Sequence, residues 1–203
     1  MYSNLKQTIA SSANLSVSEE RKEVLNHLVT YIQRKVANQE EIRLNFICTH
    51  NSRRSHLGQI WAQTIAFHFG IKNMSCYSGG TETTAMFPKV VETLKNQGFE
   101  IEKLSESNNP VYAIKFDERE LPIIGFSKKY EANFNPKSGF AAIMTCSSAD
   151  EGCPMVFGAE ARFPIKYDDP KAFDGTDLMD SKYEERSLEI ASEMYYVFSK
   201  ISK

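Results

Sequence analysis

Apolar positions recur along the chain with two periods, and the switches between them mark its elements. Ser16 and Glu19 form a capping-box pattern, after which Leu25, Leu28, Ile32 and Val36 return at helical spacing. The first fifteen residues are polar and read as irregular. RLNFIC, residues 43–48, is a short apolar run of the kind found in buried strands, and the polar loop THNSRR follows it. From Ser55 onward Leu57, Ile60, Trp61, Ile65 and Phe69 predict a helix that Gly70 ends. NMSCYSGG reads as a strand entering a turn, and Phe87, Val90, Val91 and Leu94 predict a helix with Gly98 just past its end. VYAIKF (111–116) and LPIIGF (121–126), joined by DERE, predict a β-hairpin. GFAAIMTC, residues 139–146, is a second buried-strand segment ending in cysteine. A last helix is expected near Ser181, where Ser181 and Glu184 form another capping box and Leu188, Ala191, Met194, Phe198 and Ile201 make its stripe. Strands alternating with helices predict a doubly wound α/β sheet with parallel core strands. The expected organisation is an N-terminal helical extension over 1–40 and a catalytic domain over 41–203, with the hairpin as an insertion at about 105–138. The apolar face of the N-terminal helix has to pack on the domain or on a second copy, which leaves a homodimer through that helix open.

Composition adds mainly exclusions. The chain has 203 residues, with 24 Lys plus Arg against 26 Asp plus Glu, so any recognition of anions has to be local. That balance points to no nucleic acid and no acidic membrane as partner. No run approaches the ~20 apolar residues of a membrane span, and the first twenty residues lack the apolar core of a secretory signal. A cytoplasmic, reducing compartment is the default, where Cys48, Cys76, Cys146 and Cys153 suit catalysis or redox chemistry better than structural disulfides. Their spacing contains no C-x-x-C, and metal binding is set aside.

The most informative stretch is CTHNSRRS, Cys48 to Ser55, between a strand and a helix. A sulfur at a strand end followed by six loop residues allows successive backbone N–H groups to curl around one anion, with the next helix adding its partial positive charge. The same field favours the thiolate form of Cys48. Arg54 can hold two oxygens of a tetrahedral anion through a bidentate guanidinium, and Ser55 is placed to hydrogen-bond the sulfur. A bare C-x5-R is weak evidence, whereas C-x-x-N-x-x-R-S between an apolar strand and an amphipathic helix is much more specific.

CTHNSRRS, together with the later YSGGTE and YDDP segments, resembles the low-molecular-weight tyrosine phosphatase superfamily, and its thioredoxin-coupled arsenate reductase branch most closely. The resemblance covers 43–98 and 139–203, leaving out the N-terminal helix and about 105–138. It implies a flavodoxin-like sheet with helices on both faces. It also implies Cys48 as nucleophile, Arg54 as oxyanion clamp and Asn51 as the residue that keeps the loop in shape. The substrate-binding set is then Thr49, His50, Asn51, Ser52, Arg53, Arg54 and Ser55, and the substrate an arsenate- or phosphate-type oxyanion. Asp169, immediately before Pro170, is implied as the general acid in preference to its neighbour Asp168.

CSSADEGCP, Cys146 to Pro154, resembles the relay segment of the reductases. The implied sequence is attack of Cys48 on arsenate, attack of Cys146 on the Cys48 sulfur with release of arsenite, and transfer of the disulfide to Cys146–Cys153. The loop between these two cysteines is expected to rearrange. No tightly bound cofactor is expected, and thioredoxin is implied as external reductant. Cys76 has no partner at a telling spacing and reads as a packing residue, while His50 and His56 flank the loop as field-adding or ordinary surface residues. Arg53 stands where the reductases often place another cysteine, which is expected to add charge near the anion. Lys171, Ala172 and Phe173 follow the Asp-Pro pair where the tyrosine phosphatases often carry a tyrosine pair. Two further readings stay open: a phosphate-monoester phosphatase acting through Cys48 and Asp169, and a redox-sensing or anion-binding module without turnover.

Overall fold

In a computed structural model, which describes residues 1–152 and 155–203, four parallel strands form the central sheet. They are β1 (Ile42–Cys48), β2 (Met74–Gly80), β6 (Phe140–Met144) and β7 (Ala159–Phe163), in the order β2-β1-β6-β7. All five residues of β6 are buried, as are six of the seven in β1, as expected for strands covered on both faces. The helices are α1 (Ser3–Ser12), α2 (Glu19–Ala37), α3 (Arg54–His68), α4 (Pro88–Asn96), α5 (Ser147–Gly152) and α6 (Met179–Ser199). The expected doubly wound α/β architecture is the one observed. Strand β7 was not anticipated, because Ala159–Phe163 alternates charge with small residues and is only half-buried.

A separate antiparallel sheet holds β3 (Glu100–Lys103), β4 (Tyr112–Lys115) and β5 (Ile123–Gly125). β4 and β5 are the predicted hairpin, with Tyr112 opposite Gly125 and Ile114 opposite Ile123. β3 extends it to three strands through Glu100 opposite Lys115.

The N-terminus differs from expectation. Residues 3–12 are a helix and not an irregular arm, because Leu5 and Ile9 lie one turn apart and both are buried in the main core. Thr8 also donates to the Gln97 carbonyl at 3.0 Å, and the Leu5 backbone lies so close to Gly98 that a Cβ there would meet it at 2.5 Å. In α2 the cap is Ser18, whose oxygen accepts from the Arg21 amide at 3.2 Å, so the Ser16–Glu19 box is not used. Leu25, Leu28 and Ile32 are fully buried in the same cluster as Trp61 and Phe198, so the apolar face of α2 is covered within the chain. The Ser181–Glu184 box is unused too: α6 starts two residues earlier, at Met179, and Leu178 caps it without a side-chain bond.

β2 lies at the sheet edge, and α3 covers its exposed hydrogen-bonding groups. Gln63 accepts from the Cys76 amide at 2.8 Å and donates to the Met74 carbonyl at 3.3 Å, while Gln59 donates to the Cys76 carbonyl at 3.1 Å. Two glutamines thus keep a long edge strand from pairing elsewhere. Toward the end of β2 the chain at 128–130 takes over that edge, with Gly80 donating to the Lys128 carbonyl and accepting from the Tyr130 amide.

Because α1 and α2 close the core, truncating their buried leucines should cost as much as truncating a central one. Leu28→Ala is expected to lower stability by roughly 2–5 kcal/mol in denaturant unfolding, and a change below about 0.5 kcal/mol would mean that α2 is only loosely attached.

Candidate active site

The site is built where β1 ends. Cys48 is the last residue of β1 and pairs in register with Gly80, the last of β2. The chain then turns through 49–53 before α3 starts at Arg54. Asn51 takes a left-handed backbone conformation at φ +44°, which Asn tolerates better than most residues. Its buried side chain ties the turn together: Nδ2 donates to Ser55 Oγ at 2.9 Å, and Oδ1 accepts from the Lys128 amide at 2.9 Å. Ser55 Oγ lies 3.0 Å from Cys48 Sγ.

The loop's carbonyls are turned outward into the scaffold. The Cys48 carbonyl accepts from the Thr81 amide at 3.2 Å, and that of Thr49 accepts from the Glu82 amide at 2.8 Å. The His50 carbonyl accepts from the Ser127 and Thr84 hydroxyls at 2.9 and 3.2 Å, and that of Ser52 from the Phe87 amide at 3.0 Å. Across a planar trans peptide the N–H points opposite to the C=O. The amides of Thr49, His50, Asn51 and Arg53 therefore face away from those partners. This is the arrangement an anion-binding turn requires.

Gly79 and Gly80 make the close approach possible. A Cβ on Gly80 would lie 2.6 Å from the Thr49 carbonyl and 2.8 Å from the Asn51 amide, and one on Gly79 would strike the Tyr130 backbone at 2.3 Å. The adjacent glycines at a buried strand's end were a legible signal of such an approach.

Arg54 lies at the first position of α3. Its guanidinium donates to the Tyr167 carbonyl at 2.8 Å and to Asp169 Oδ2 at 2.5 Å. Asp169 Oδ1 accepts from the Lys171 amide at 3.1 Å and so caps the 3-10 turn Pro170–Phe173. The neighbouring Asp168 is fully exposed and lies 3.6 Å from Arg186 instead. Contrary to the expectation from sequence, Arg53 does not carry a free charge toward the loop: its guanidinium pairs with Asp174 at 2.6 Å and bonds Tyr183 Oη at 2.5 Å. Asp174 and Tyr183 were invisible to sequence reasoning, since nothing in their spacing tied them to the loop; Tyr167 opens the YDDP segment but was given no role.

Cys146 lies two residues beyond β6. Its sulfur is 3.6 Å from Thr49 Oγ1 and accepts from the Ala149 amide at 3.4 Å. Cys48, at 4% exposure, and Cys146, at 3%, belong to one small buried cluster with Met144 and Val156, and both are free thiols. Residues 147–152 form α5, not the open loop expected, and Asp150 pins that helix to Arg162 and Lys166 at 2.5 and 2.7 Å. Cys153 and Pro154 lie outside the described residues. Cys76 is buried on β2, and burial pushes its thiol well above the usual range.

The two histidines part company. His50 is half-exposed, 3.4 Å from Glu82. His56 is fully buried, not a surface residue: Nδ1 lies 3.3 Å from Ser78 Oγ, and burial followed by the nearby Lys128 charge pushes its pKa down to about 3. It is therefore neutral near pH 7.

Residues 43–124 match the family model for the low molecular weight phosphotyrosine protein phosphatase. Arsenate reductase 2 of Staphylococcus epidermidis is 28% identical over 125 residues, which are 62% of this chain and 76% of that protein. An arsenate reductase of Staphylococcus aureus is 39% identical over 111 residues, 55% of this chain and 65% of that protein. A low molecular weight protein tyrosine phosphatase from T. tengcongensis shares the fold at a TM-score of 0.53, covering 79% of this chain and 100% of that one at 16% identity. Residues 43–124 thus carry a low molecular weight phosphotyrosine phosphatase family domain, and the chain shares the fold of these phosphatases. The curated relatives it resembles are arsenate reductases. Among the described residues no helix is long and apolar enough to cross a membrane.

Two outcomes are expected from this geometry. Gly80→Ala has no room without moving backbone at Thr49 and Asn51, so it should destabilise the fold by roughly 1–3 kcal/mol and abolish protection of Cys48 from alkylation by phosphate; protection equal to wild type would mean the turn is not held as described. Lys128 supplies the second. Its side chain is buried between Phe126 and Phe134, 4.5 and 5.3 Å from their ring centres, and burial lowers its pKa to about 7. The unfolded chain binds this proton up to about pH 10.5 and the folded chain only up to about 7, so this group makes stability rise with pH between those values. Lys128→Met should lack this rise, so its stability relative to wild type should fall by roughly 3 kcal/mol between pH 7 and pH 9.5, read by urea unfolding. Equal slopes for the two proteins would show that the ammonium is not desolvated.

Proposed function

We propose that this protein is an arsenate reductase that uses Cys48 as nucleophile and relays oxidation through Cys146 to Cys153, with thioredoxin as the reductant. The supporting observation is the placement of two free thiols, Cys48 and Cys146, in one buried cluster beside the anion-binding turn. Hydrolysis of a phosphate ester needs only the first of them.

In this reading the outward-bonded loop offers the amides of Thr49, His50, Asn51 and Arg53 to a tetrahedral oxyanion. Arg54 exchanges Asp169 for two of the anion's oxygens and holds them as charge shifts in the transition state. The Cys48 sulfur attacks arsenic, and an oxygen leaves as water with a proton from Asp169. The Ser55 hydroxyl, 3.0 Å from the sulfur, stabilises its negative charge before attack and on departure. Cys146 as thiolate then attacks the Cys48 sulfur. The sulfur–sulfur bond forms as the sulfur–arsenic bond breaks, and that electron pair reduces As(V) to As(III), which leaves as arsenite. Attack of Cys153 on Cys146 frees Cys48 as a thiolate and leaves a Cys146–Cys153 disulfide for a dithiol such as thioredoxin to reduce. The sequence relatives named arsenate reductases support the same choice.

The test compares thioredoxin-dependent arsenate reduction with aryl phosphate hydrolysis in wild type, Cys48→Ser and Cys146→Ser. Cys48→Ser should lose both activities. Cys146→Ser should lose multiple-turnover arsenate reduction, by about 100-fold or more, while keeping slow hydrolysis. Unchanged arsenate reduction in Cys146→Ser would dismiss the relay and leave an ester phosphatase as the better description.

A further inference from the structure

The segment that carries Asp169 is gripped at both ends by consecutive arginines of the oxyanion loop. Arg54 holds Asp169 at 2.5 Å, and Arg53 holds Asp174 at 2.6 Å, with the 3-10 turn Pro170–Phe173 arched between them. The Arg53 end is the more fully built. Tyr183 Oη accepts from Arg53 Nε at 2.5 Å and donates to Asp174 Oδ1 at 2.6 Å, so arginine, carboxylate and phenol close a triangle. The guanidinium stacks over Phe87 at 4.0 Å, and the Phe87 ring sits 5.8 Å from that of Tyr183. The Arg53 side chain is 11% exposed, which shields the pair from solvent screening.

These two ion pairs have different fates if an anion enters the turn. Arg54 has to give up Asp169 to clamp the anion, which removes one of the segment's two anchors. Arg53 is held more firmly, with Nε on Tyr183, Nη2 on Asp174 and its plane stacked on Phe87, so it keeps its partners when an anion enters. We propose that Arg53, Asp174 and Tyr183 form a strap that keeps the 169–174 segment docked when Arg54 turns to the oxyanion, so that Asp169 stays within reach as acid. This rests on the reading of Asp169 given above, and it makes all three positioning residues. A simple charge role predicts the opposite behaviour: removing Asp174 would leave Arg53 unpaired near the anion and tighten substrate binding.

Limited trypsin cleavage after the exposed Lys171, followed by mass spectrometry and normalised to cleavage after Lys137, reads the docking directly. In Arg53→Met and in the milder Tyr183→Phe, cleavage after Lys171 should rise by about fivefold or more, and added inorganic phosphate should raise it further. In wild type phosphate should change it little. Cleavage at Lys171 that is the same in all three proteins, with and without phosphate, would overturn the strap whatever the enzyme's activity. Hydrolysis of aryl phosphates with good and poor leaving phenols then separates positioning from charge. Asp174→Asn should slow turnover of the poor leaving groups about tenfold and the good ones less than twofold, in the direction of Asp169→Asn. A lower KM in Asp174→Asn with no dependence on the leaving group would replace the strap with a charge effect. If Asp169→Asn itself shows no such dependence, the assignment of Asp169 fails and the strap has no acid to position; if only Asp174→Asn resembles wild type, the strap alone is wrong.

Discussion

The structure depends on where the carbonyl oxygens of residues 48–52 go. A turn that gathers several amides on one side has to dispose of its carbonyls on the other, and a buried carbonyl without a donor costs on the order of 1–3 kcal/mol. Here the donors come from two separate segments: Thr81, Glu82, Thr84 and Phe87 from the connection between β2 and α4, and Ser127 from beyond the small sheet. Each bond fixes one peptide plane, and with it the direction of the following N–H. The anion-facing side is thus set by partners that never touch the anion. This is the sense in which a site on a loop can be preorganised as well as one on a helix or strand.

The same logic governs charge. With 24 basic and 26 acidic residues the whole chain gives no attraction to an oxyanion, and each arginine of the loop is matched by an aspartate. The field at the turn is therefore supplied by peptide dipoles and the start of α3, together with whichever arginine is released from its partner. Of the two, Arg54 is held by Asp169, a carboxylate 37% exposed, and by one carbonyl. Arg53 is held by a carboxylate, a phenol and a ring. The weaker partnership belongs to the residue that has to move.

How much of this could be read from the sequence follows from the range of the interactions involved. β1, α3 and β6 were legible because their burial is written in local periodicity, and Asn51 and Ser55 were legible as neighbours of Cys48. β7 was missed because its burial is partial and its residues mixed. The helix at 3–12 was missed because only two of its residues, Leu5 and Ile9, carry the apolar signal. Asp174 and Tyr183 join Arg53 across more than 120 residues, and no spacing rule spans that separation. Arg53 itself was seen, but its charge was assigned to the loop because the partner that neutralises it lies in another part of the chain. Capping boxes failed at Ser16 and Ser181 for a related reason: helix starts moved by two residues to suit packing and a closer cap at Ser18.

The segments outside the resemblance, the N-terminal helices and the stretch around 105–138, are bonded into the site and are not additions to a finished domain. Ser127 and Lys128 follow the hairpin and hold the His50 carbonyl and the Asn51 side chain, the two points at which the turn changes direction. At the other end Arg21 of α2 forms a paired hydrogen bond with Glu193 of α6, and the Glu193 carboxylate accepts from Tyr167 at 2.7 Å. Arg21 also stacks on the Tyr167 ring at 4.8 Å, and the Tyr167 carbonyl is the one that Arg54 grips. Burial and the Glu193 charge hold that phenol protonated far above its ordinary range, so it remains a donor across the working pH. A buried carboxylate between a guanidinium and a phenol is stable only while both stay in place. Removing the N-terminal helix would strand Glu193 and loosen the carbonyl beneath Arg54, so the extension and the oxyanion arginine are parts of one electrostatic unit.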